Sequence, residues 1–176
     1  FIESNISLQK FDLIILPGSK LVIQDLLWLK KTGLFEQLKN SKKPIYGICG
    51  GYEMMFETLD DSLQIENKEP KVEQGLGFIE DTIIFQKDKV LKKASFELFG
   101  HTLNGFEIHH GISLKYPLSF EKDSLKGAFV HGIFDNNAFR TTLLKAINPS
   151  YNGFDFQAYK TQTVTQFIST MKEKLD

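Results

Sequence analysis

Gly47-Ile48-Cys49-Gly50-Gly51-Tyr52 holds the only cysteine of the chain between glycines. An apolar run, Pro44 to Ile48, enters it, and a helix-compatible run, Tyr52 to Leu59, leaves it. One reactive side chain among small residues at a strand-to-helix junction is the layout of a nucleophile elbow, written with Cys instead of Ser. Glycine lets the chain turn tightly and lets a substrate approach the backbone. Free N–H groups where a helix starts lower a thiol pKa and bind an oxyanion. A lone Cys is more often a small buried hydrophobe than a nucleophile. A packed core residue needs no glycines beside it, and that favours the catalytic reading.

Positioning such a thiol takes a sheet. Phe11 to Leu16 is a short apolar run with β-branched residues, stopped by Pro17-Gly18, and reads as a buried parallel strand. Two amphipathic helical stretches follow, Val22 to Lys31 and Thr32 to Asn40. Pro44 to Ile48 is the second buried strand and Tyr52 to Leu59 the helix behind the elbow. Strand, helix, strand, helix in this order implies a right-handed parallel crossover and an α/β fold. Asp60 to Gln74 is polar and reads as a surface loop. Gly77 to Gln86, Lys89 to Phe99 and Leu103 to Leu114 read as strands of an antiparallel edge or small meander. Ala128 to Val130 is a short strand ending in His131-Gly132. Asn136 to Ile147 reads as a helix capped by Asp135 or Asn136, and Val164 to Leu175 as a C-terminal helix.

Ligands of open α/β sheets bind beyond the carboxyl ends of the strands. Pro17-Gly18-Ser19 follows the first strand, Cys49 the second and His131 the last, so topology alone gathers them on one edge. Cys and His so placed suit acyl transfer, with His taking the thiol proton as the sulfur attacks a carbonyl. Main-chain N–H groups of Gly50 and of the Gly18-Ser19 turn then form the oxyanion hole. Taken singly, Pro17-Gly18-Ser19 is a turn and His131 a structural residue; the three together point to function. In Asn104-Gly105-Phe106-Glu107-Ile108-His109-His110-Gly111, alternation puts Glu107 and His109 on one face. Paired histidines raise the question of a metal, but no further Cys or His has useful spacing. The segment reads as a strand at the rim of the site, with no metal.

The composition narrows the alternatives. The chain has 176 residues, 41% hydrophobic and 24% charged, enough for one domain with a real core. A net charge of −1 gives no broad pull on nucleic acid or an anionic membrane. The 16 Phe read as core, with no basic patch to make them a base-stacking platform. One Cys excludes an intrachain disulfide framework and fits a reducing compartment, the cytoplasm. No apolar run is long enough to span a bilayer. Phe1-Ile2-Glu3-Ser4 lacks the basic start and apolar core of a signal peptide.

The segments LPGSKLVIQDLLWL (Leu16 to Leu29), GICGGYEMM (Gly47 to Met55), GLGFIEDTIIF (Gly75 to Phe85), NGFEIHHG (Asn104 to Gly111) and VHGIFDNNAFR (Val130 to Arg140) cover most of the chain. In type and order they resemble the class I, triad-type glutamine amidotransferase domain, and LPGSK followed by DLLWL is similar to its cobyric acid synthase branch. The resemblance implies a flavodoxin-like α/β fold, a mostly parallel sheet flanked by helices with an antiparallel edge. It implies a domain that hydrolyses L-glutamine through a thioester on Cys49, with His131 as general base, and passes ammonia to a synthetase domain of the same longer chain. That domain uses ATP and Mg²⁺ to amidate the corrin acceptor adenosylcobyrinic acid a,c-diamide, on the path to cobalamin. The amidotransferase domain itself, residues 1–176, needs no cofactor. Gly18, Ser19 and Gly50 fall at the oxyanion hole, and Gly51, Tyr52 and Glu53 beside the substrate.

Three departures from the family pattern stand out. Many relatives carry Glu two residues after the His; Ile133 stands there, as the resembled branch also leads one to expect, so a Cys–His dyad oriented by Glu107 or Asp135 is expected. The usual Gln four residues after the nucleophile is Glu53, which donates a hydrogen bond only when protonated or else meets the substrate's ammonium. The chain starts just before the LPGSK strand, so the resemblance implies that the synthetase domain and the first strands are missing, leaving an exposed sheet edge. No G-x-x-x-x-G-K-[ST] occurs in the chain, so the ATP step belongs elsewhere. Two other functions remain open on these residues: an amidotransferase subunit with a cell-wall acceptor, and a catalytically silent docking fragment.

Overall fold

The computed structural model describes residues 6–175; Phe1 to Ser4, read above as no signal peptide, lie outside the described residues. The elements in chain order are β1 (Ile14–Leu16), α1 (Val22–Lys31), α2 (Leu34–Lys39), β2 (Ile45–Ile48), α3 (Gly50–Glu53), β3 (Phe56–Asp61), β4 (Lys71–Gln74), β5 (Ile79–Leu98), β6 (His101–Ile112), β7 (Ser119–Lys122), β8 (Leu125–Ala128), β9 (Val130–His131), α4 (Asn137–Ile147) and α5 (Phe156–Leu175). They build two sheets. The first runs β1-β2-β8-β7, with β1, β2 and β8 parallel and β7 antiparallel at one edge. The second runs β4-β3-β5-β6-β9, parallel only between β3 and β5.

Alternation on β2 explains why the first sheet is covered on both faces. Ile45 and Tyr46 are both buried yet point to opposite sides. Ile45 joins a core with Ile23 and Leu26 of α1 and Leu34 and Leu38 of α2. Tyr46 joins another with Phe96 of β5, Leu103 of β6 and Phe139 of α4. β1, whose Ile15 is half-exposed, forms the other edge of this sheet.

Several elements differ from the sequence expectation. The helix expected over Tyr52 to Leu59 is a single turn, α3, followed by strand β3. Helical continuation would need the Met54 and Met55 carbonyls; these instead accept Leu76 N–H (2.8 Å), Phe78 N–H (2.9 Å) and Ile79 N–H (3.1 Å). A short apolar run does not separate helix from strand, and long-range pairing decided it. The polar stretch Asp60 to Gln74 contains the end of β3 and all of β4. The two strands expected over Gly77 to Phe99 are one, β5, with a register break between Phe85 and Val90. It turns into β6 through Phe99 and Gly100, both at positive φ (54° and 75°), the geometry of a tight hairpin. The strand expected over Ala128 to Val130 is split: β8 ends at Ala128, buried Phe129 crosses over, and β9 joins the second sheet. Asn136 sits at the start of α4, but its side chain bonds the Asn104 and Gly132 carbonyls (3.0 Å each), not the helix. α5 begins eight residues before the expected Val164 and buries none of its side chains.

Candidate active site

Cys49 leaves β2 at φ 50°, ψ −112°, a conformation that L-residues rarely adopt, before α3 begins. Such strain persists only where the surroundings over-determine it, and it marks functional turns. The Cys49 N–H is tied to the Ala128 carbonyl of β8 at 2.8 Å, so the elbow hangs from the central strand pair. Its sulfur points at the Ile108 carbonyl, 3.6 Å away, on β6. Both sheets therefore meet at this thiol.

Gly18 sits between the other parts. A Cβ added there would lie 3.2 Å from His131 Cε1 and 3.8 Å from Cys49 Cβ. Ser19 follows with its backbone against Gly50: a Cβ on Gly50 would come 2.7 Å from Ser19 N. The Ser19 hydroxyl is occupied elsewhere, donating to Asp25 (2.5 Å) and accepting from Leu21 N–H (3.0 Å). Only its main chain is left to act at the site. Cys49, His131, Gly18, Ser19 and Gly50 are thus brought together.

His131 is held by β9 pairing with β6, opposite Phe106, whose ring stacks on it at 5.0 Å and 8°. Its Nε2 is buried without a hydrogen-bond partner among the described residues. Burial, helped by the nearby His109, lowers its pKa below the ordinary imidazole value, which keeps the ring neutral and able to accept a proton. Burial first, and then the Glu53 carboxylate, push the Cys49 thiol up to about 12. The resting group is a thiol, so its proton has to leave during attack, to a neighbouring base.

Neither expected orienter reaches His131. Glu107 lies opposite Val130 in the β6–β9 register, and its carboxylate meets His109 Nε2 at 3.5 Å. Asp135 is exposed and pairs with Lys160 at 3.4 Å. His109 is buried at the rim, its Nδ1 bonded to the Gly111 carbonyl (2.7 Å) and its ring stacked on Phe129. Gly51 and Tyr52 do not line the cavity. Gly51 packs on the Leu16 and Pro17 carbonyls, and Tyr52 is fully buried with its hydroxyl on the Tyr116 carbonyl at 3.1 Å.

A cavity of about 260 Å³ opens beside the thiol, lined by Ser19, Cys49, Glu53, Glu66, Lys89 and His109 among others. Glu66 and Lys89 were missed in the sequence. Glu66 accepts the Val22 N–H at 2.8 Å. It is carried by a loop organised around Asp61, a buried carboxylate that accepts Ile65, Glu66 and Asn67 N–H and the Asn67 amide at 2.6, 3.1, 2.9 and 2.8 Å. Burial raises the Asp61 pKa, but these four donors outweigh it and hold the group below the ordinary 3.8. A depressed carboxylate stabilises the fold above its unfolded pKa, and that stability is lost as pH falls through the folded value. Replacing Asp61 by Ala leaves four donors without an acceptor. The expected cost is about 3 kcal/mol in urea unfolding at neutral pH, with a smaller difference from wild type in acid. Amide exchange across residues 62–67 should accelerate in the variant.

Among the described residues no three His, Cys, Asp or Glu side chains are grouped to hold a metal ion. No helix among these residues is long and apolar enough to cross a membrane.

Residues 1–139 match the family described as the CobB/CobQ-like glutamine amidotransferase domain. Over the whole chain, 57% of residues are identical to a cobyric acid synthase of Acinetobacter baylyi, of which the chain covers 38%. A cobyric acid synthase of Clostridium perfringens is 30% identical, again over the whole chain and 41% of that protein. The chain thus spans well under half the length of these relatives. A solved structure described as a glutamine amidotransferase superposes with a TM-score of 0.55 over 79% of this chain and 80% of its own, at 12% identity, and shows the shared fold. With residues 1–139 of its 176 matching that family model, this chain belongs to the CobB/CobQ-like glutamine amidotransferase domain family.

Proposed function

We propose that this chain is the glutamine-hydrolysing part of a cobyric acid synthase. The observation that carries the reading is Gly18 lying in contact range of both the His131 ring and Cys49 on its strained elbow. Glutamine enters the 260 Å³ cavity with its ammonium towards Glu66 and its carboxylate towards Lys89 and Lys20. The Cys49 sulfur attacks the side-chain amide carbon as His131 takes the thiol proton. N–H groups of Gly50 and of the Gly18–Ser19 turn receive the oxyanion. The C–N bond then breaks, His131 protonates the departing nitrogen, and ammonia leaves a thioester on Cys49. Water, deprotonated by His131, attacks the thioester and releases glutamate and the free thiol.

In this reading the ammonia passes to a synthetase domain of the longer protein, which activates corrin carboxylates with ATP and Mg²⁺. The identity to the Acinetobacter protein over the whole chain supports it. A lone unpaired thiol nucleophile suits the cytoplasm, where it stays reduced.

A glutamine-mimicking diazo-ketone tests the site. Intact-mass and peptide mass spectrometry are expected to find one adduct, on Cys49, formed more slowly in His131→Ala. A folded protein that takes no adduct would overturn the reading. In the full-length protein, ATP-dependent transfer of glutamine nitrogen to a corrin but not to a lipid-linked muramyl peptide identifies the acceptor.

A further inference from the structure

We propose that Glu53 works as a neutral carboxylic acid whose O–H donates to an oxygen of the bound glutamine, and that ionised Glu53 closes the site to substrate. The proposal rests on the glutaminase reading and deepens it. Glu53 is 2% exposed and lines the cavity with Cys49. It is fixed to the nucleophile through the backbone: its N–H donates to the Cys49 carbonyl at 2.9 Å.

Among the described residues Glu53 forms no ion pair, although the cavity is lined by charged groups from every side. Cys49 faces it from the elbow, Glu66 from the loop after β3, Lys20 from the turn before α1, Lys89 from β5, and His109 and His110 from β6. Both His109 ring nitrogens are engaged, with the Gly111 carbonyl and Glu107. His110 Nδ1 is taken by the Gln86 carbonyl at 2.9 Å. Glu66, the other carboxylate on the cavity wall, repels a negative charge on Glu53. What lies against the Glu53 carboxyl is the backbone of β6: a Cβ added to Gly111 would overlap Glu53 Oε1.

Burying an unpaired charge costs several kcal/mol, whereas a protonated carboxyl costs far less. Burial, followed by Glu66, raises the Glu53 pKa to about 8. A carboxyl kept neutral by its surroundings so that it donates is an established device in enzyme sites. The neutral form serves twice. It offers a donor to an acceptor oxygen of glutamine, and it removes the negative charge that otherwise pushes the Cys49 thiol up. Ionised, the same group sets an anion against the attacking sulfur and the developing oxyanion.

The test compares wild type with Glu53→Gln, which always donates and never ionises. Wild-type kcat/KM for glutamine is expected to fall about tenfold between pH ~7 and pH ~9. Glu53→Gln is expected to lack that fall and to exceed wild type at the upper end. The rate of Cys49 alkylation by iodoacetamide adds a readout independent of turnover: its midpoint should move to lower pH in Glu53→Gln. The same alkaline fall in both proteins, or an unmoved alkylation midpoint, overturns the proposal. Wild type failing both to hydrolyse glutamine and to take the diazo-ketone defeats the glutaminase reading instead, and the alkylation midpoint still judges the state of Glu53. Should Glu53→Gln not fold, infrared spectra of wild type decide: a protonated-carboxyl band that disappears on going to about pH 9 is expected, and its absence overturns the proposal.

Discussion

Cys49→Ala is expected to abolish glutamine hydrolysis, by on the order of 10⁶-fold in kcat, while the protein stays folded. Glutamate release from purified wild type and variant measures it. The substitution removes one sulfur and keeps the Cβ, so the elbow at φ 50° is no more strained than before. The sulfur donates to the Ile108 carbonyl at 3.6 Å, a long bond whose loss is expected to cost about 1 kcal/mol or less. His131→Ala should lose nearly as much activity. Because nucleophile and base act as a unit, the double variant should be no slower than Cys49→Ala alone. Multiplicative losses in the double variant would mean that His131 serves some other step. Residual turnover close to wild type in Cys49→Ala would leave the cavity as a docking feature.

Residue types made the elbow legible. Glycines at 47, 50 and 51 around a lone Cys have no use in an ordinary core, and close backbone contact gives each of them one. The carboxyl-end rule for parallel strands brought the Gly18–Ser19 turn to the same edge as Cys49. His131 is gathered differently: β9 belongs to the second sheet, and pairing with β6 supplies its position. Alternation correctly put Glu107 and His109 on one face of β6. It also explains why Glu107 does not orient His131. Phe106 is the residue opposite His131, so Glu107 points to the other side.

Long-range events hid the rest. Glu66 lies in a polar stretch that reads as surface loop, and only the buried Asp61 carboxylate, with four donors folded around it, turns that stretch into a wall of the cavity. An Asp before such a loop leaves no periodic signature. Lys89 sits at the register break of β5, where pairing with β6 is interrupted, and no pattern of alternation announces that break. The helix expected after the elbow failed for a related reason: N–H groups of Leu76, Phe78 and Ile79, far along the sequence, took the carbonyls it required.

The approach of β1 to the elbow yields the second large effect. Gly51 packs so closely on the Leu16 and Pro17 carbonyls that an added Cβ would overlap the Leu16 carbonyl and come within 2.7 Å of Pro17 O. These are backbone atoms and no side-chain rotation relieves the clash. In Gly51→Ala either α3 or the end of β1 has to move. Gly18 and Ser19 follow directly on that strand end, so the displacement is passed to the turn that faces Cys49 and His131. Overpacking of this kind is expected to cost about 3 kcal/mol in urea unfolding. Glutamine kcat/KM, measured where the variant is still folded, should fall by about 10²-fold, the usual penalty for a misplacement of about 1 Å. Gly77→Ala is the control. Its φ of 72° strains Ala there, but no atom lies within 4 Å of the added Cβ, so about 1 kcal/mol of stability should be lost with little change in turnover. If Gly51→Ala lost stability in the same way but hydrolysed glutamine at the wild-type rate, the site would not depend on this contact, and the turn after β1 would be held by Ser19 on Asp25 instead.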